Sequence, residues 1–139
     1  MNEKQNTALI QSVYAAFGRG DIAFILANLT SDTVWTTEGP GVIPYAGTRS
    51  GVPGVSSFFE ALGSTLSDMK LTTTHYVAEG NAVTTFGRFA ATVKATGKSF
   101  DTPVGHYFEI RDGKIAVFVD IIESASIAAA YQVSAAAAH

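Results

Sequence analysis

The apolar residues at the start of the chain recur at every third or fourth position, as they do on one face of a helix. They predict a helix over residues 7–17, which Gly18 and Gly20 end. The apolar residues of this face are Leu9, Ile10, Val13, Tyr14 and Phe17. Asp21 is a suitable N-cap for a second, short helix with apolar residues along one side. We therefore expect a helical hairpin at the start of the chain.

A strand, an irregular loop and a third helix follow the hairpin. The strand is predicted over residues 33–36, and the segment EGPGVIPYAGTRSG after it has neither helical nor strand spacing. Pro53 suits the first turn of the third helix. The apolar face of that helix is formed by Val55, Phe58, Phe59, Leu62 and Leu66.

The second half of the chain has the composition of strands. Four segments are rich in Val, Thr, Phe and Tyr, and they cover residues 69–79, 82–95, 98–110 and 114–123. The turns that separate them are Gly80-Asn81, Thr96-Gly97 and Asp112-Gly113. This pattern predicts a four-stranded antiparallel meander, and a last helix from Ser124 to about Gln132 follows it.

The order of these elements predicts the α+β fold class. Helices at both ends of a long meander favour helices packed on one face of a strongly curved, mainly antiparallel sheet. Such a sheet forms a cone with an apolar pocket. Because the chain has no internal repeat and no linker-like tract, we expect a single domain over residues 1–139, with a frayed tail at residues 133–139.

Composition indicates that much apolar surface has to be hidden. Of the 139 residues, 47% are hydrophobic and only 15% are charged, which is typical of a globular and not of a disordered chain. A small domain can hide this area in its core, in a ligand cavity or in a subunit interface. We therefore expect a small hydrophobic molecule and a second copy of the chain, in a homodimer, as partners.

Charge and hydropathy exclude several kinds of partner. The net charge is −3 and the nine Lys and Arg residues are scattered, so the basic footprint of a nucleic-acid-binding protein is missing. No window approaches the roughly 18 apolar residues that a membrane span needs. With a polar N-terminus that lacks a signal pattern and with no cysteine, the sequence predicts a cytoplasmic protein.

The motif content excludes several kinds of chemistry. The three histidines are scattered without HxH or HExxH spacing, so we predict no metal site. The nucleophile elbow GxSxG, the phosphate-binding P-loop and the dinucleotide motif GxGxxG are all absent, and no cofactor is expected. Proton transfer or ligand binding remains.

Asp120 is the most informative residue of the sequence. It is the one charge in the run IAVFVDII, which is apolar on both alternating faces and therefore predicts a strand buried on both sides. Burial of an ionised carboxylate is costly unless the group is paired or hydrogen-bonded. Carboxyl groups perturbed in this way concentrate at functional sites, where they serve as general bases or acids. The alternative is a structural aspartate held by backbone amides or by an arginine at an interface.

His106 lies on the preceding predicted strand, and its relation to Asp120 depends on the turn between the strands. A two-residue turn at Asp112-Gly113 would pair residue 106 with residue 119, on the opposite face from Asp120. A three-residue loop over residues 111–113 would make His106 and Asp120 diagonal neighbours roughly 7 to 8 Å apart. The side-chain pattern favours this longer loop. His106 would then share a proton with Asp120 or hold a polarised carbonyl, the alternative being a histidine bonded to a backbone carbonyl.

Aromatic and aliphatic residues are expected to surround this pair. We predict that the substrate-binding residues are Trp35, Tyr14, Phe58, Phe108, Phe118 and Ile122. Tyr45 and Arg49 are candidates to gate the mouth of the pocket from the irregular loop. Arg88 is expected to reach solvent or pair with a carboxylate, and His75 to be an ordinary half-buried residue of the sheet.

Four stretches of the chain resemble the SnoaL-like family, which is related to ketosteroid isomerases within the cone fold of nuclear transport factor 2. They are IQSVYAAFGRGDIAFILANLTSDTVWT, PYAGTRSGVPGVSSFFEAL, VAEGNAVTTFGRF and GHYFEIRDGKIAVFVDIIESASIAAAY. Each stretch is weak alone, but their order and spacing are fairly specific, and together they cover nearly the whole chain. The resemblance implies the same helix-and-curved-sheet architecture.

The resemblance also implies roles for the candidate residues. Family members that cyclise polyketides use an aspartate on the last strand as acid and base for an aldol closure, near a histidine on the strand before, and Asp120 and His106 match these positions. Thr37 stands where a ketosteroid isomerase carries its base, and Val13 stands where it carries a tyrosine. An Asp-Arg-Asp arrangement like that of epoxide hydrolases on this fold is not expected around Arg88. The implied activity is proton transfer next to a carbonyl, with a ligand-binding module or a structural dimer domain as the alternatives.

Overall fold

The computed structural model describes residues 2–132 of the chain. Its helices are α1 (Glu3–Gly18), α2 (Ile22–Ala27), α3 (Gly51–Thr65) and α4 (Ser124–Tyr131). Its strands are β1 (Leu29–Thr37), β2 (Gly47–Ser50), β3 (Leu66–Glu79), β4 (Ala82–Val93), β5 (Ser99–Arg111) and β6 (Lys114–Ile122). The expected frayed tail at residues 133–139 lies outside the described residues. The predicted α+β order is confirmed, with α1 and β1 longer at their N-terminal ends than the apolar pattern indicates.

The caps explain where the first two helices begin. The side chain of Asn2 accepts a hydrogen bond from the Gln5 amide (2.8 Å), and the Gln5 side chain accepts one from the Asn2 amide (2.9 Å). This reciprocal capping box satisfies two backbone donors and starts α1 in a polar segment without helical periodicity. Asp21 caps α2 as predicted, because its carboxylate accepts from the Phe24 amide at 3.1 Å.

The strands within residues 2–132 form one curled sheet in the order β2-β1-β6-β5-β4-β3. The four strands β3 to β6 are the expected antiparallel meander, and β1 joins it by pairing in parallel with β6. The short strand β2, which the sequence pattern does not predict, pairs antiparallel with β1 at the edge. Both α1 and α3 pack on the inner face of the sheet, where the side chains of the core lie.

The turn between β5 and β6 corrects the expected three-residue loop. Arg111 pairs with Lys114, so only Asp112 and Gly113 lie in the turn, with φ angles of 51° and 76°. Two successive residues with positive φ form the type I′ turn that best matches the twist of a hairpin. The Asp-Gly dipeptide is typical of this turn, and the expectation of a three-residue loop is wrong.

A β-bulge next to this turn places His106 on the same face of the sheet as Asp120, which is the face expected from the three-residue loop. Ile110 pairs with Ile115, whereas Glu109 pairs with Val117, so Ala116 is an extra residue in β6. Beyond the bulge, His106 pairs with Asp120. The two residues are therefore direct cross-strand partners on one face, and not diagonal neighbours.

The outer face of the sheet exposes apolar side chains. Phe86, Gly105 and Ile121 lie side by side on β4, β5 and β6. The large apolar residues of this face are exposed by 37% (Val34), 64% (Val77), 53% (Phe86) and 56% (Ile121). Within residues 2–132, no helix has the length and apolar character to cross a membrane.

Candidate functional site

An inner cavity of about 70 Å³ lies between α1, α3 and the concave face of the sheet. Its wall is largely aromatic and aliphatic. Five of the six predicted substrate-binding residues line it, namely Tyr14, Trp35, Phe58, Phe108 and Phe118. Among the described residues, Asp120 is the only carboxylate and His106 the only histidine on this wall. The cavity thus combines an apolar surface with one acid/base pair.

Ile122 is the predicted substrate-binding residue that does not line this cavity. It lies at the end of β6, where a Cβ atom on Gly39 would be 3.5 Å from its Cδ1 atom. Ile122 therefore packs against the loop after β1. The alternation of side chains along β6 correctly predicts that Ile122 is on the inner face of the sheet. It does not predict that the cavity ends before Ile122.

Several lining residues are absent from the predicted set of substrate-binding residues. They are Val13, Phe17, Ile25, Tyr45, Phe59, Leu62, Leu71, Phe89 and Val104. Most of them lie on apolar faces that the sequence does indicate, so the pattern identifies them as core without separating core from cavity wall. Tyr45 is different, because the irregular loop that carries it has no periodicity.

Tyr45 lies inside the protein, on the wall of the inner cavity, and not at the mouth of the pocket as expected. It is 1% exposed, and its loop is closed by hydrogen bonds from the Ile43 amide to the Pro40 carbonyl and from the Ala46 amide to the Ile43 carbonyl, both 3.0 Å. Arg49, its predicted companion at the mouth, donates to the Ser57 hydroxyl (2.7 Å) and the Pro44 carbonyl (3.1 Å). Arg49 therefore ties the loop to α3 and does not gate the cavity.

The carboxylate of Asp120 has one hydrogen-bond donor on each oxygen. His106 Nε2 lies 3.1 Å from Oδ1, and the Thr37 hydroxyl donates to Oδ2 at 3.0 Å. The Asp120 residue is 6% exposed. A carboxylate oxygen can accept two hydrogen bonds, so each oxygen keeps capacity for a further donor. Neither an arginine nor a backbone amide of the described residues contacts this carboxylate, so the structure does not show the alternative in which backbone amides hold Asp120.

His106 belongs to a continuous chain of hydrogen bonds. Its Nδ1 atom lies 2.6 Å from the Tyr14 hydroxyl, which in turn lies 2.6 Å from the Thr85 hydroxyl. One assignment satisfies every member with a neutral imidazole: Thr85 donates to Tyr14, Tyr14 donates to Nδ1, and Nε2–H donates to Asp120. The alternative of a histidine bonded to a backbone carbonyl is not what the geometry gives.

Tyr14 remains a neutral donor within this chain. Burial raises the pKa of the Tyr14 hydroxyl well above its ordinary value, and the nearby negative charge of Asp120 acts in the same direction. A protonated Tyr14 can therefore hold the Nδ1 atom of His106 throughout the neutral range. This orients the Nε2 atom toward the carboxylate of Asp120.

An outer chamber of about 360 Å³ adjoins the cavity between α1, α3 and the beginning of β3. It includes the residues around Gly18, Gly20 and Met69. Five side chains line both spaces, and they are Tyr14, Phe17, Phe59, Leu62 and Leu71. The ring centres of Phe17 and Phe59 are 6.2 Å apart. These five side chains form the partition between the outer chamber and Asp120.

Arg88 and His75 lie outside the cavity. Arg88 donates to the Asp101 carboxylate at 2.9 Å on the exposed face of the sheet. Arg88 therefore pairs with a carboxylate, as one of the two expectations for it states, and β5 places that carboxylate opposite β4 although it is distant in sequence. His75 contacts the Thr74 hydroxyl (2.8 Å) and the edge of the Phe86 ring. Residues 2–132 contain no group of three His, Cys, Asp or Glu side chains arranged to hold a metal ion.

Comparison with known proteins agrees with this architecture. A model of the SnoaL-like domain matches residues 10–118. No curated protein matches the chain. Among solved structures, a protein from Burkholderia thailandensis that resembles nuclear transport factor 2 has 27% identity and a TM-score of 0.85, with 95% of this chain and 99% of that chain covered.

Two further solved structures are similar over most of their length. The protein TerC, co-crystallised with polyporic acid, has 26% identity and a TM-score of 0.81, with 91% of this chain and 98% of TerC covered. A protein from a Jannaschia species that is named as a SnoaL-like polyketide cyclase has 14% identity and a TM-score of 0.81, with 93% and 92% covered. At 14% identity, the second likeness is one of fold alone.

Proposed function

Because this chain belongs to the family of SnoaL-like domains, we propose that it is a cofactor-independent acid/base enzyme that acts next to a carbonyl group of a small hydrophobic molecule. The reaction class is aldol cyclisation or isomerisation. The observation that carries the proposal is the carboxylate of Asp120, which lies on an apolar cavity wall and retains hydrogen-bonding capacity on both oxygens. An acid/base group in such a pocket is the usual mark of proton-transfer chemistry.

The proposed reaction begins with Asp120 as the base. One of its oxygens takes a proton from the carbon next to the carbonyl, and the electrons of the C–H bond move to the carbonyl oxygen. In an isomerisation, Asp120 returns the proton to another carbon of the same conjugated system. In an aldol closure, the enolate carbon attacks a second carbonyl carbon, and Asp120 gives the proton to the new alkoxide.

His106 and Thr37 are positioning residues in this proposal. His106 donates to one carboxylate oxygen and Thr37 to the other, so the plane of the carboxylate is set by both. The family resemblance places Thr37 where a ketosteroid isomerase carries its base, and in this chain the Thr37 hydroxyl donates to Asp120 instead. This supports a mechanism whose base lies on β6 and not on β1.

The size of the two spaces limits how a substrate can lie. The inner cavity of about 70 Å³ is less than half of the roughly 150 Å³ of a cavity that admits benzene. The outer chamber is about five times larger than the inner cavity. We expect the reacting carbonyl end in the inner cavity and the remaining body in the outer chamber, after the side chains of Phe17 and Phe59 separate.

The co-crystal of TerC with polyporic acid supports a small-molecule function for this chain. TerC is 26% identical over 91% of the sequence. TerC was crystallised together with a small molecule, polyporic acid. The corresponding proposal here is occupancy of the inner cavity by the polar end of such a molecule.

Exchange of carbon-bound protons tests the catalytic proposal directly. We expect the protein to accelerate deuterium exchange next to the carbonyl of small ketones such as cyclohexanone and acetophenone, followed by proton NMR in D₂O. Asp120→Asn should reduce the exchange rate by at least about 100-fold. Asp101→Asn is the matched control, because Asp101 lies on the exposed face in an ion pair with Arg88. Equal exchange by wild type and Asp120→Asn contradicts the proposal.

A non-catalytic ligand-binding module is the second candidate. The observation in its favour is the small inner cavity, which in the described conformation admits only a few atoms. Trp35, the only tryptophan of the chain, lines this cavity, so its fluorescence reports occupancy. Ketone binding detected by Trp35 without any proton exchange would favour the binding module over the enzyme.

A further inference from the structure

Two residues that line the inner cavity each carry a buried hydrogen-bond donor with no acceptor in the part of the chain that the structure describes. The Tyr45 hydroxyl and the Trp35 indole Nε1 are buried without a hydrogen-bond partner among residues 2–132. Tyr45 is 1% exposed and Trp35 is 4% exposed, and both line the cavity that contains Asp120. Buried polar groups in folded proteins are nearly always hydrogen-bonded, so each exception calls for an explanation.

Both donors are held in place by the fold. The loop that carries Tyr45 is tied to α3 through Arg49, and the Tyr45 ring packs edge-on against Phe58 with centres 6.0 Å apart. The Trp35 ring packs against Phe118, with ring centres 4.3 Å apart, and it also contacts Phe58. Fixed donors lose little freedom when they bind an acceptor, which favours recognition.

The other polar groups of the cavity wall are already engaged. Tyr14 bonds to His106 and Thr85, and His106 bonds to Tyr14 and Asp120. The Asp120 carboxylate offers only acceptor positions. A carbonyl oxygen is also only an acceptor, so Asp120 cannot hold it, and the donors left to bind it on this wall are Tyr45 and Trp35.

Burial, more than charge, keeps the Tyr45 hydroxyl protonated and therefore a donor. Burial raises the pKa of the Tyr45 hydroxyl well above its ordinary value, and the negative charge of Asp120 raises it further. The hydroxyl is close enough to Asp120 to feel its charge but makes no hydrogen bond to it.

We propose that the Tyr45 hydroxyl and the Trp35 indole N–H bind the carbonyl oxygen of the ligand, while its neighbouring carbon faces Asp120. The site therefore takes compounds with a hydrogen-bond acceptor at the end that enters the inner cavity. The inference rests on the proposed function only in that the ligand occupies this cavity. In a catalysed reaction, the same two donors stabilise the negative charge that develops on the oxygen.

A pair of probes that differ in a single group tests this inference. Cyclohexanone carries the acceptor oxygen, and methylenecyclohexane has a CH₂ group in its place. Because Trp35 is the only tryptophan, the ¹⁵N-labelled protein has one indole resonance to follow. Cyclohexanone should move the indole proton downfield, as a new hydrogen bond does, and methylenecyclohexane should not.

Tyr45→Phe provides the matching loss of a donor without a change of shape. The variant should bind cyclohexanone about five- to tenfold more weakly, while its affinity for methylenecyclohexane stays within about twofold of wild type. Tyr107→Phe is the control, since the Tyr107 hydroxyl contacts Glu109 on the exposed face. A similar fold of all three proteins is checked by circular dichroism.

The outcomes separate this inference from the proposed function. If cyclohexanone fails to bind, or moves the indole proton no more than methylenecyclohexane does, the donor pair is refuted. The same holds if Tyr45→Phe weakens both probes equally. If the donor pair passes but wild type and Asp120→Asn exchange protons at the same rate, the catalytic proposal fails and the binding inference stands.

Discussion

Thr37 and His106 share the task of holding one buried carboxylate, and they do so from different strands. Thr37 lies on β1 and His106 on β5, on either side of the β6 strand that carries Asp120. The sequence identifies Asp120 because a charge interrupts an apolar run. It does not identify Thr37 as a partner, because threonine is common in strands and the parallel pairing of β1 with β6 is not visible in local periodicity.

Thr37→Val tests the hydrogen bond to Asp120 with almost no change of volume. We expect the free energy of unfolding to fall by about 1 to 2 kcal/mol, because a buried carboxylate oxygen loses its donor. Urea unfolding measures this change. Thr36→Val is the control, since the Thr36 hydroxyl contacts Thr48 on the exposed face and its loss should cost little. Equal destabilisation by the two variants would show that the Thr37 bond adds nothing.

Tyr14→Phe tests the raised pKa of a buried phenol through stability at high pH. An unfolded tyrosine releases its proton at about pH 10, while folded Tyr14 keeps it to a higher pH. The folded state then binds more protons than the unfolded state, so the free energy of unfolding decreases as the pH rises above 10. Tyr14→Phe lacks this contribution. Its free energy of unfolding should therefore fall less steeply with pH than that of wild type, by up to about 1.4 kcal/mol per pH unit.

Urea unfolding at pH 9, 10 and 11 measures the difference between wild type and Tyr14→Phe. Tyr107→Phe serves as the reference, because its hydroxyl is exposed and water screens its interaction with Glu109. Parallel curves for wild type and Tyr14→Phe would mean that Tyr14 titrates as an exposed phenol does.

The β5–β6 hairpin illustrates what an element's sequence reveals and what it leaves open. The requirement that His106, Phe108 and Asp120 face the core is readable from side-chain types, and it is correct. The turn dipeptide Asp112-Gly113 is also readable. The two signals conflict unless one strand contains an extra residue, and Ala116 is that residue. Its position is set by pairing on both sides of β6, which no local pattern encodes.

The edge strand β2 escapes sequence analysis for a related reason. Its four residues, Gly47–Ser50, show no alternation of buried and exposed positions. Its place in the sheet comes from pairing with β1, as between Trp35 and Arg49. Short edge strands of this kind are made by tertiary contacts and not by propensity.

Gly87→Ala tests a close approach between β3 and β4. A Cβ atom at Gly87 would lie 2.8 Å from the Thr72 carbonyl carbon and 2.9 Å from the Thr73 Cα atom, with the Thr72 carbonyl oxygen still closer. These are backbone atoms that cannot rotate away, so we expect the variant to lose about 1 to 3 kcal/mol of unfolding free energy. Gly105→Ala is the matched control in β5, because its Cβ would meet the Thr85 carbonyl oxygen at an ordinary 3.6 Å.

Thermal unfolding of both glycine variants separates overpacking from a general effect of glycine replacement. Gly105→Ala should be neutral or slightly stabilising, since alanine restricts the unfolded chain. If Gly87→Ala is as stable as Gly105→Ala, the irregular pairing of β3 near Thr73 is able to relax at little cost.

At the scale of the whole molecule, the order of helices and strands is enough to predict the curved sheet and the pocket beneath it. The number and volume of the spaces in that pocket are not predictable in the same way. They depend on how Phe17 and Phe59 meet across α1 and α3, and on a loop that carries Tyr45 inward. Packing of particular side chains decides such features, and composition gives only the total apolar area to be hidden.

The outer face of the sheet is where we propose the homodimer forms. Phe86 on β4 and Ile121 on β6 are both more than half exposed and lie on either side of β5, so one surface offers two apolar projections. A surface of this kind can match a copy of itself about a two-fold axis. The nearby charges of Arg88 and Asp101 already pair with each other, so this pair adds no net charge to the surface.

Ile121→Asp is expected to separate the two copies. Sedimentation velocity at micromolar concentration should give twice the chain mass of 14.6 kDa for wild type and the single mass for the variant. The reason is that two carboxylates would be buried near the axis without partners. Val42→Asp is the control, because Val42 is 39% exposed and lies on the loop after β1 and not on a strand of this face. A monomeric wild type, or a dimer that survives Ile121→Asp, would remove the outer face as the site of association and leave its apolar row without a role in pairing copies of the chain.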